Sequence, residues 1–321
     1  MIRPFAVCLL LSTAALAQTP KAPLDIKPGS ITNEDVAYPY PVSYLPLNVY
    51  GQEVNMAYMD VPPAGTPNGR TVMLFHGNNF GGFYFAGPIE ALRNQGFRVV
   101  VPDQIGYGRS SKPVIPYTFH DMAANSRKLL KSLGIARTAV VGHSMGGMLA
   151  ARFASLYPDV TERVVLYNPI GLTDSRWDGP WTSTEDAYKA LMAQSHDQNY
   201  ASALATIQRY FATSPWKPEY DQFVRILYAP SLSADWPRLA MVRTLIRQML
   251  TLDPVVDDWS HIKVKALVLG GDKDGPDFPV RAKHIADTIP GGQVVLIPGA
   301  GHVPHVEVPD VFNRELLKFL K

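Results

Sequence analysis

The chain has 321 residues, of which 46% are hydrophobic and 18% charged, with a formal net charge of +2. That length suits one large α/β domain, or a core carrying an inserted subdomain, and the composition describes a globular chain rather than a disordered one. The near-neutral charge gives no support for a nucleic acid or an anionic membrane as partner.

The first residues read as a targeting segment. Met1-Ile2-Arg3 is a short basic start, and Phe5 to Leu16 is an apolar run too short to span a bilayer. Ala15-Leu16-Ala17 offers a small-x-small cleavage site. Residues 1–17 are therefore expected to be a Sec-type signal peptide, and the protein to be periplasmic or secreted. The single cysteine, Cys8, lies inside this segment without a small-residue lipobox before it, so no lipid anchor is expected. The exported chain would have neither a disulfide nor a thiol nucleophile.

Residues 18–45 are rich in proline, with Tyr38-Pro39-Tyr40-Pro41 at the centre, and predict an extended arm lying on the domain. The core is expected to begin at residue 46. Val49 to Val61 alternates around Gly51-Gln52 as an edge hairpin. Thr71 to Phe75 is a continuous apolar strand of the kind buried on both faces of a parallel sheet. It runs into His76-Gly77-Asn78-Asn79-Phe80-Gly81-Gly82, a Gly-rich loop at the carboxyl end of a strand, where α/β sheets bind ligands. A helix over Ile89 to Asn94 and a strand over Phe97 to Val101 follow, and then a helix whose face is Met122, Leu129, Leu130 and Leu133.

Ala139 to Ala150 carries the strongest signal. An apolar, β-branched run ends at Gly142, Ser144 stands between Gly142 and Gly146 as G-x-S-x-G, and a small-residue helix follows. This pattern predicts a strand, a very tight turn and a helix, with Ser144 exposed at the tip in a strained conformation. The N–H of Met145, at the helix N-terminus, would face a developing oxyanion. Val164 to Tyr167 is a further strand. From Gly171 to Ser260 no buried strand run occurs. That stretch has helical patterns, Trp177, Trp181, Trp216 and Trp236, and Trp259 at its close. Residues 171–260 therefore read as a helical insertion between core segments 46–170 and 261–321. Ala266 to Leu269 and Gln293 to Ile297 complete the strands, with helices over Val280 to Thr288 and Val311 to Leu320. Repeated strand–helix units imply an α/β fold: a mostly parallel sheet flanked by helices.

In this order, His76-Gly77, Asp103-x-x-Gly106-x-Gly108-x-Ser110, Gly142-His143-Ser144-Met145-Gly146-Gly147, Gly271-Asp272-Lys273-Asp274 and Gly301-His302 are highly specific together. The chain, from about Val49 to its C-terminus, resembles the α/β-hydrolase superfamily, in the capped branch that includes carboxylesterases, prolyl iminopeptidases, C–C bond hydrolases and epoxide hydrolases. The resemblance implies the order nucleophile, acid, histidine, which here gives Ser144, Asp274 and His302. Both of the latter follow strands, so their loops open at the same sheet edge as Ser144. Asp272 and Asp277 are rivals of Asp274, and the G-x-x-D spacing from Gly271 favours Asp274. His305 rivals His302, which follows Gly301 as the family pattern has it. His143 and His76 are read as structural, and Asp103 as a brace for its loop. The resemblance also implies Asn78 as the second backbone donor to an oxyanion beside Met145. Phe80, Phe83 and Tyr84 are candidates for the wall of a substrate pocket, with Phe85 beside them.

A serine rather than an aspartate nucleophile disfavours the alkyl-enzyme chemistry of epoxide hydrolases. No clustered His/Asp/Glu spacing points to a metal, and no Gly-Lys-Ser/Thr loop to a nucleotide, so no cofactor is expected. The expected reaction is cleavage of a small-molecule carboxylic ester through an acyl-enzyme, under a cap that sets substrate size. Two other readings remain open here. An aminopeptidase, amidase, lactonase or C–C hydrolase would use the same triad, with cap carboxylates such as Glu185, Asp186, Asp221 or Asp235 holding a substrate ammonium in the aminopeptidase case. A non-catalytic binding protein on this fold is the third.

Overall fold

The computed structural model describes residues 19–211 and 215–321. The signal-peptide reading and Cys8 fall outside them. The core is an eight-stranded sheet: β1 (Ser43–Val49), β2 (Gln52–Val61), β3 (Thr71–Phe75), β4 (Arg98–Pro102), β5 (Thr138–His143), β6 (Thr161–Tyr167), β7 (Lys265–Gly271) and β8 (Gln293–Ile297). Its spatial order is β1-β2-β4-β3-β5-β6-β7-β8. β1, β2 and β4 pair antiparallel, and every pair from β4 through β3 to β8 is parallel. β3 and β5 are buried along their whole length, as their continuous apolar sequence requires.

The chain joins the sheet earlier than the proline content implied. β1 starts at Ser43, inside the stretch read as an arm, and includes Pro46. Proline lacks an N–H but is tolerated on an edge strand, and β1 is the edge, with Leu45 and Leu47 packed against the core.

Helices cover both faces. α1 (Ala86–Arg93) and a C-terminal helix, Pro309–Leu320, lie against one core layer, whose members include Val72, Val141, Leu269 and Phe312. α2 (Phe119–Ser132) and α3 (Met145–Leu156) pack on the other, with Met73, Val140 and Val268. Thr118 caps α2 by accepting the Asp121 N–H.

Between β6 and β7 the described residues contain no strand. They form α4 (Thr184–Met192), α5 (His196–Tyr210), α6 (Asp221–Tyr228) and α7 (Trp236–Leu252). A capping box of Ser195 and Gln198 starts α5. Beyond α7 the chain rejoins the core layer at once: Val255, Trp259 and Ile262 are buried among core residues. The arm joins the core to the helices between β6 and β7. The Tyr38 hydroxyl donates to Asp103 at 2.6 Å, the Arg109 guanidinium donates to the Val36 carbonyl at 2.8 Å, and the Gly29 N–H donates to Ala229 at 2.9 Å.

The parallel register aligns the strand ends. Phe75 lies opposite Gly142, His143 opposite Tyr167, and Gly271 opposite Ile297. The loops that begin at His76, Ser144, Asn168 and Asp272, and the one after Ile297, therefore open along one edge.

Candidate active site

Ser144 sits at the junction of β5 and α3 with φ 56° and ψ −118°, a conformation that L residues rarely adopt. The flanking glycines are what make the turn possible. A Cβ on Gly142 would lie 1.9 Å from the Gly146 carbonyl oxygen, and one on Gly146 would lie 2.3 Å from that of Phe75. The backbone therefore closes on itself and leaves the serine side chain projecting from the sheet edge.

The structure brings Ser144, His302 and Asp274 into one hydrogen-bonded line. His302 Nε2 is 3.0 Å from Ser144 Oγ, and His302 Nδ1 is 2.8 and 2.9 Å from the two Asp274 oxygens. With Nδ1 protonated toward the carboxylate, Nε2 is the acceptor for the serine hydroxyl. Ser144 and His302 are both buried, with exposures of 2% and 6%. The rivals are placed elsewhere. Asp272 accepts the Gly299 N–H at 2.7 Å, and Asp277 is exposed at the start of the helix Phe278–Thr288 (α8). His305 lies in α9 (Pro304–Glu307), its Nδ1 bonded to the Tyr167 hydroxyl.

Met145 is the first residue of α3, where the N–H has no intrahelical acceptor. The Gly77 backbone abuts Ser144: a Cβ there would lie 3.2 Å from the Ser144 Cβ. This places Asn78, the next residue, beside the same serine. The Tyr107 hydroxyl ties the two segments together, 2.8 Å from Asn78 Oδ1 and 2.9 Å from Met145 Sδ.

Behind the line runs a buried relay. The Gly77 N–H donates to the Tyr84 hydroxyl at 2.8 Å, that hydroxyl is 2.6 Å from His143 Nδ1, and His143 Nε2 is 2.8 Å from the His302 carbonyl. A consistent assignment has Tyr84 donating to a neutral His143, which in turn donates to His302. His76 plays a similar part, with Nε2 accepting the Gln104 N–H and Nδ1 donating to the Gly77 carbonyl. Asp103 accepts from the N–H groups of Gly82 and Arg109 and from Tyr38, which fixes the loop after β4.

Three side chains that the sequence reading did not single out complete the site. Asn168, at φ 41°, donates to Asp274 Oδ2 at 2.8 Å and to the Gly301 carbonyl at 3.1 Å, and so positions the acid. Tyr210, from the cap helix α5, lays its ring 4.7 Å from that of His302, and its hydroxyl accepts from Asn79 Nδ2 at 2.8 Å. The Asn168-Pro169 break in the strand pattern was the one sequence trace of the first. Tyr107 fills the variable position between Gly106 and Gly108 of the motif after β4, and Tyr210 lies in no motif.

The pocket expectation requires correction. Phe80 lines a small cavity of about 70 Å³ with Asn78 and Tyr107. Phe83 and Tyr84 instead face a separate space against the arm, beside Val36 and Phe223. The Tyr84 hydroxyl is consumed by the relay, and Phe83 packs edge-on against Tyr38 of the arm. The larger space under the cap is a cavity of about 450 Å³ that includes Asn79, Thr206, Leu227 and Trp236. None of Glu185, Asp186, Asp221 and Asp235 lines either of the two cavities at Asn79.

Burial pushes the His143 pKa well below its ordinary value, aided by the neighbouring His302 and His305, and pushes His305 down to about 3. The unfolded chain exposes rings of ordinary pKa. Between about pH 3 and 6.5 it therefore binds protons that the folded chain refuses, and stability falls as pH drops through that window. The melting temperature is expected to fall as the pH drops below about 6.5. Each buried neutral histidine steepens the fall by about 1.4 kcal/mol per pH unit. The limb should be shallower in His305→Gln. An identical acid limb in that variant would contradict a neutral, buried His305.

Comparisons with known proteins bear on this arrangement. Residues 72–315 match the model of the alpha/beta hydrolase family. The chain is 28% identical over 255 residues to Lipase 3 of Moraxella sp. (strain TA144), covering 76% of each chain. The crystal structure of a "probable hydrolytic enzyme" from Pseudomonas aeruginosa PAO1 superposes with a TM-score of 0.85 at 35% identity, over 92% of this chain and 99% of that one. A thermophilic esterase from Thermogutta terrifontis superposes with a TM-score of 0.70 at 25% identity, over 87% and 98%.

Proposed function

Because the chain belongs to the alpha/beta hydrolase family, we propose that it is an exported serine hydrolase that cleaves a carboxylic ester of a small molecule through an acyl-enzyme on Ser144. The observation that carries the reading is the unbroken line from Ser144 Oγ through His302 to Asp274, at the opening of the sheet. Ser144 Oγ attacks the ester carbonyl while His302 Nε2 takes its proton. Asp274 orients the imidazole and stabilises its cation. The N–H groups of Met145 and Asn78 receive the developing oxyanion, worth about 10²–10³ in rate for each donor. His302 then protonates the departing alkoxide, and water, deprotonated by the same histidine, releases the acid. The Tyr210 ring over His302 shields the acyl-enzyme from bulk water. The leader-like residues 1–17 support export.

The test is hydrolysis of p-nitrophenyl esters of graded acyl length, with aminoacyl anilides and lactones alongside. Turnover of the esters, with a chain-length optimum set by the cavity, is expected. Turnover confined to anilides or lactones would keep the nucleophile and overturn the ester assignment. Failure of every substrate to react would favour a binding protein.

A further inference from the structure

Arg243 and Arg247 stand one turn apart on α7 and both reach the space between the cap and the loop after β3. They wall both cavities at that place, together with Asn79. Arg243 is half-buried, stacked over Trp236 at 5.3 Å, with only long contacts of 3.4 and 3.5 Å to the Leu227 carbonyl. Among the described residues neither arginine has a carboxylate within ion-pairing distance. By contrast, Arg98 pairs with Asp60 at 2.7 Å and the buried Arg152 with Asp258 at 2.8 Å; Arg247 is the exposed member of the pair on α7. A guanidinium carries five N–H donors, and removing it from water without an acceptor is costly.

Lys112 lines the smaller cavity too, which contains no aspartate or glutamate. Its ammonium donates to the Gly108 and Ser110 carbonyls at 2.8 and 2.6 Å. Burial lowers its pKa to about 7, and burial next to Arg247 lowers that of Arg243 to about 10. Arg243 thus stands between Lys112 and Arg247 in a confined space whose wall continues into Asn78, beside Ser144, while the one acidic side chain lining the larger cavity is Asp178. Such a site is built for an anion, and the planar fork of arginine matches a carboxylate in two parallel hydrogen bonds.

We infer that Arg243, supported by Arg247, binds a carboxylate that the ester substrate carries away from its scissile bond. The inference rests on the ester-hydrolase reading above. The reaction itself is unchanged. Water adds across the ester C–O bond, the acid and the alcohol leave, and the remote carboxylate keeps its charge throughout. An anion in this place secures the far end of the substrate, so that the carbonyl stays at Ser144. It also selects against neutral esters, which would leave the guanidinium without an acceptor.

The test compares monomethyl suberate, with the carboxylate on the acyl side, 6-acetoxyhexanoate, with it on the alcohol side, and the neutral methyl octanoate. At low salt, kcat/KM for one of the two charged esters should exceed that for methyl octanoate by at least about tenfold, and salt should erode the preference. The side that is favoured assigns the acyl or the alcohol end to Arg243. In Arg243→Met the charged-to-neutral ratio should drop by about 10–100-fold, as expected for a lost charge-assisted bond, with partial return in Arg243→Lys. Equal rates on charged and neutral esters in the unaltered chain, or a parallel loss on both in Arg243→Met, would overturn the inference and leave the esterase reading standing. Calorimetric binding of suberate to the full chain carrying Ser144→Ala separates the two readings. Suberate binding that disappears on adding Arg243→Met supports the anion site even if no ester is cleaved. Absence of binding overturns it, as does tighter binding of inorganic phosphate than of suberate.

Discussion

Replacing Ser144 by alanine is expected to lower ester turnover by about 10⁶-fold, the scale reached when a triad nucleophile is removed. The magnitude follows from what His302 and Asp274 are for. Both serve one proton on Ser144 Oγ, through contacts of 3.0 Å and 2.8 Å, and neither has a task once that oxygen is gone. Ser144→Ala, His302→Ala and the double variant should therefore be nearly equal in rate, since residues that act as a unit do not add. The residual activity would come from the N–H donors and from substrate binding alone. Thermal stability should stay close to that of the unaltered chain, because alanine at φ 56° bears the same backbone strain as serine. A loss of only tenfold, or a double variant much slower than either single one, would show that another group does the chemistry.

The largest effect on stability is expected at Arg152→Met. This arginine of α3 is 6% exposed and joins three parts of the chain. Its guanidinium donates to Asp258 at 2.8 and 3.0 Å, to Asp253 at 2.9 Å, to the Pro254 carbonyl at 2.9 Å and to His120 Nδ1 at 2.7 Å. Asp253 also accepts the Phe119 N–H, at the start of α2. Methionine matches the bulk of the stem, but it leaves two poorly solvated carboxylates without their cation. Breaking a buried pair in this way costs about 3–5 kcal/mol, a drop in melting temperature of roughly 5–8 °C for a chain of this size. Chemical or thermal unfolding of the full chain reads it directly. Because the cluster fastens the exit of the cap to the core, substrate-size selectivity should loosen as well. A change within about 0.5 kcal/mol would mean that the pairs are worth no more than surface ones.

How much of this was legible in the sequence depends on the range of each interaction. The turn at Ser144 was readable because its cause is local: two glycines within two residues, each pressed against backbone. The parallel sheet was readable from continuous apolar runs such as Val72 to Phe75. The first residues of β1, Ser43 to Leu45, fall inside the proline-rich stretch that reads as an arm, and only the edge position of β1 in the sheet shows that the chain is already paired there. The choice between Asp272 and Asp274 had leaned on spacing; the fold turns one carboxylate to Gly299 and the other to His302. Asn168 and Tyr210 reach partners about a hundred residues away, and Tyr84 one fifty-nine away, so no window of sequence contains both halves of those bonds. The aromatic run Phe80, Phe83, Tyr84 looked like a pocket because composition does not say which way a ring points. The unpaired guanidinium of Arg243 is likewise invisible in the sequence, since it is defined by the lack of a carboxylate within ion-pairing distance among the described residues.

The central claim, that Ser144 is an activated nucleophile, is tested most directly by incubating the native full chain with a fluorophosphonate and locating the adduct by peptide mass spectrometry. The account predicts rapid modification of Ser144, abolished by prior unfolding and greatly slowed in Asp274→Asn, where the imidazole loses its orienting carboxylate. An unmodified Ser144, or an adduct on another serine while Ser144 stays free, would contradict it.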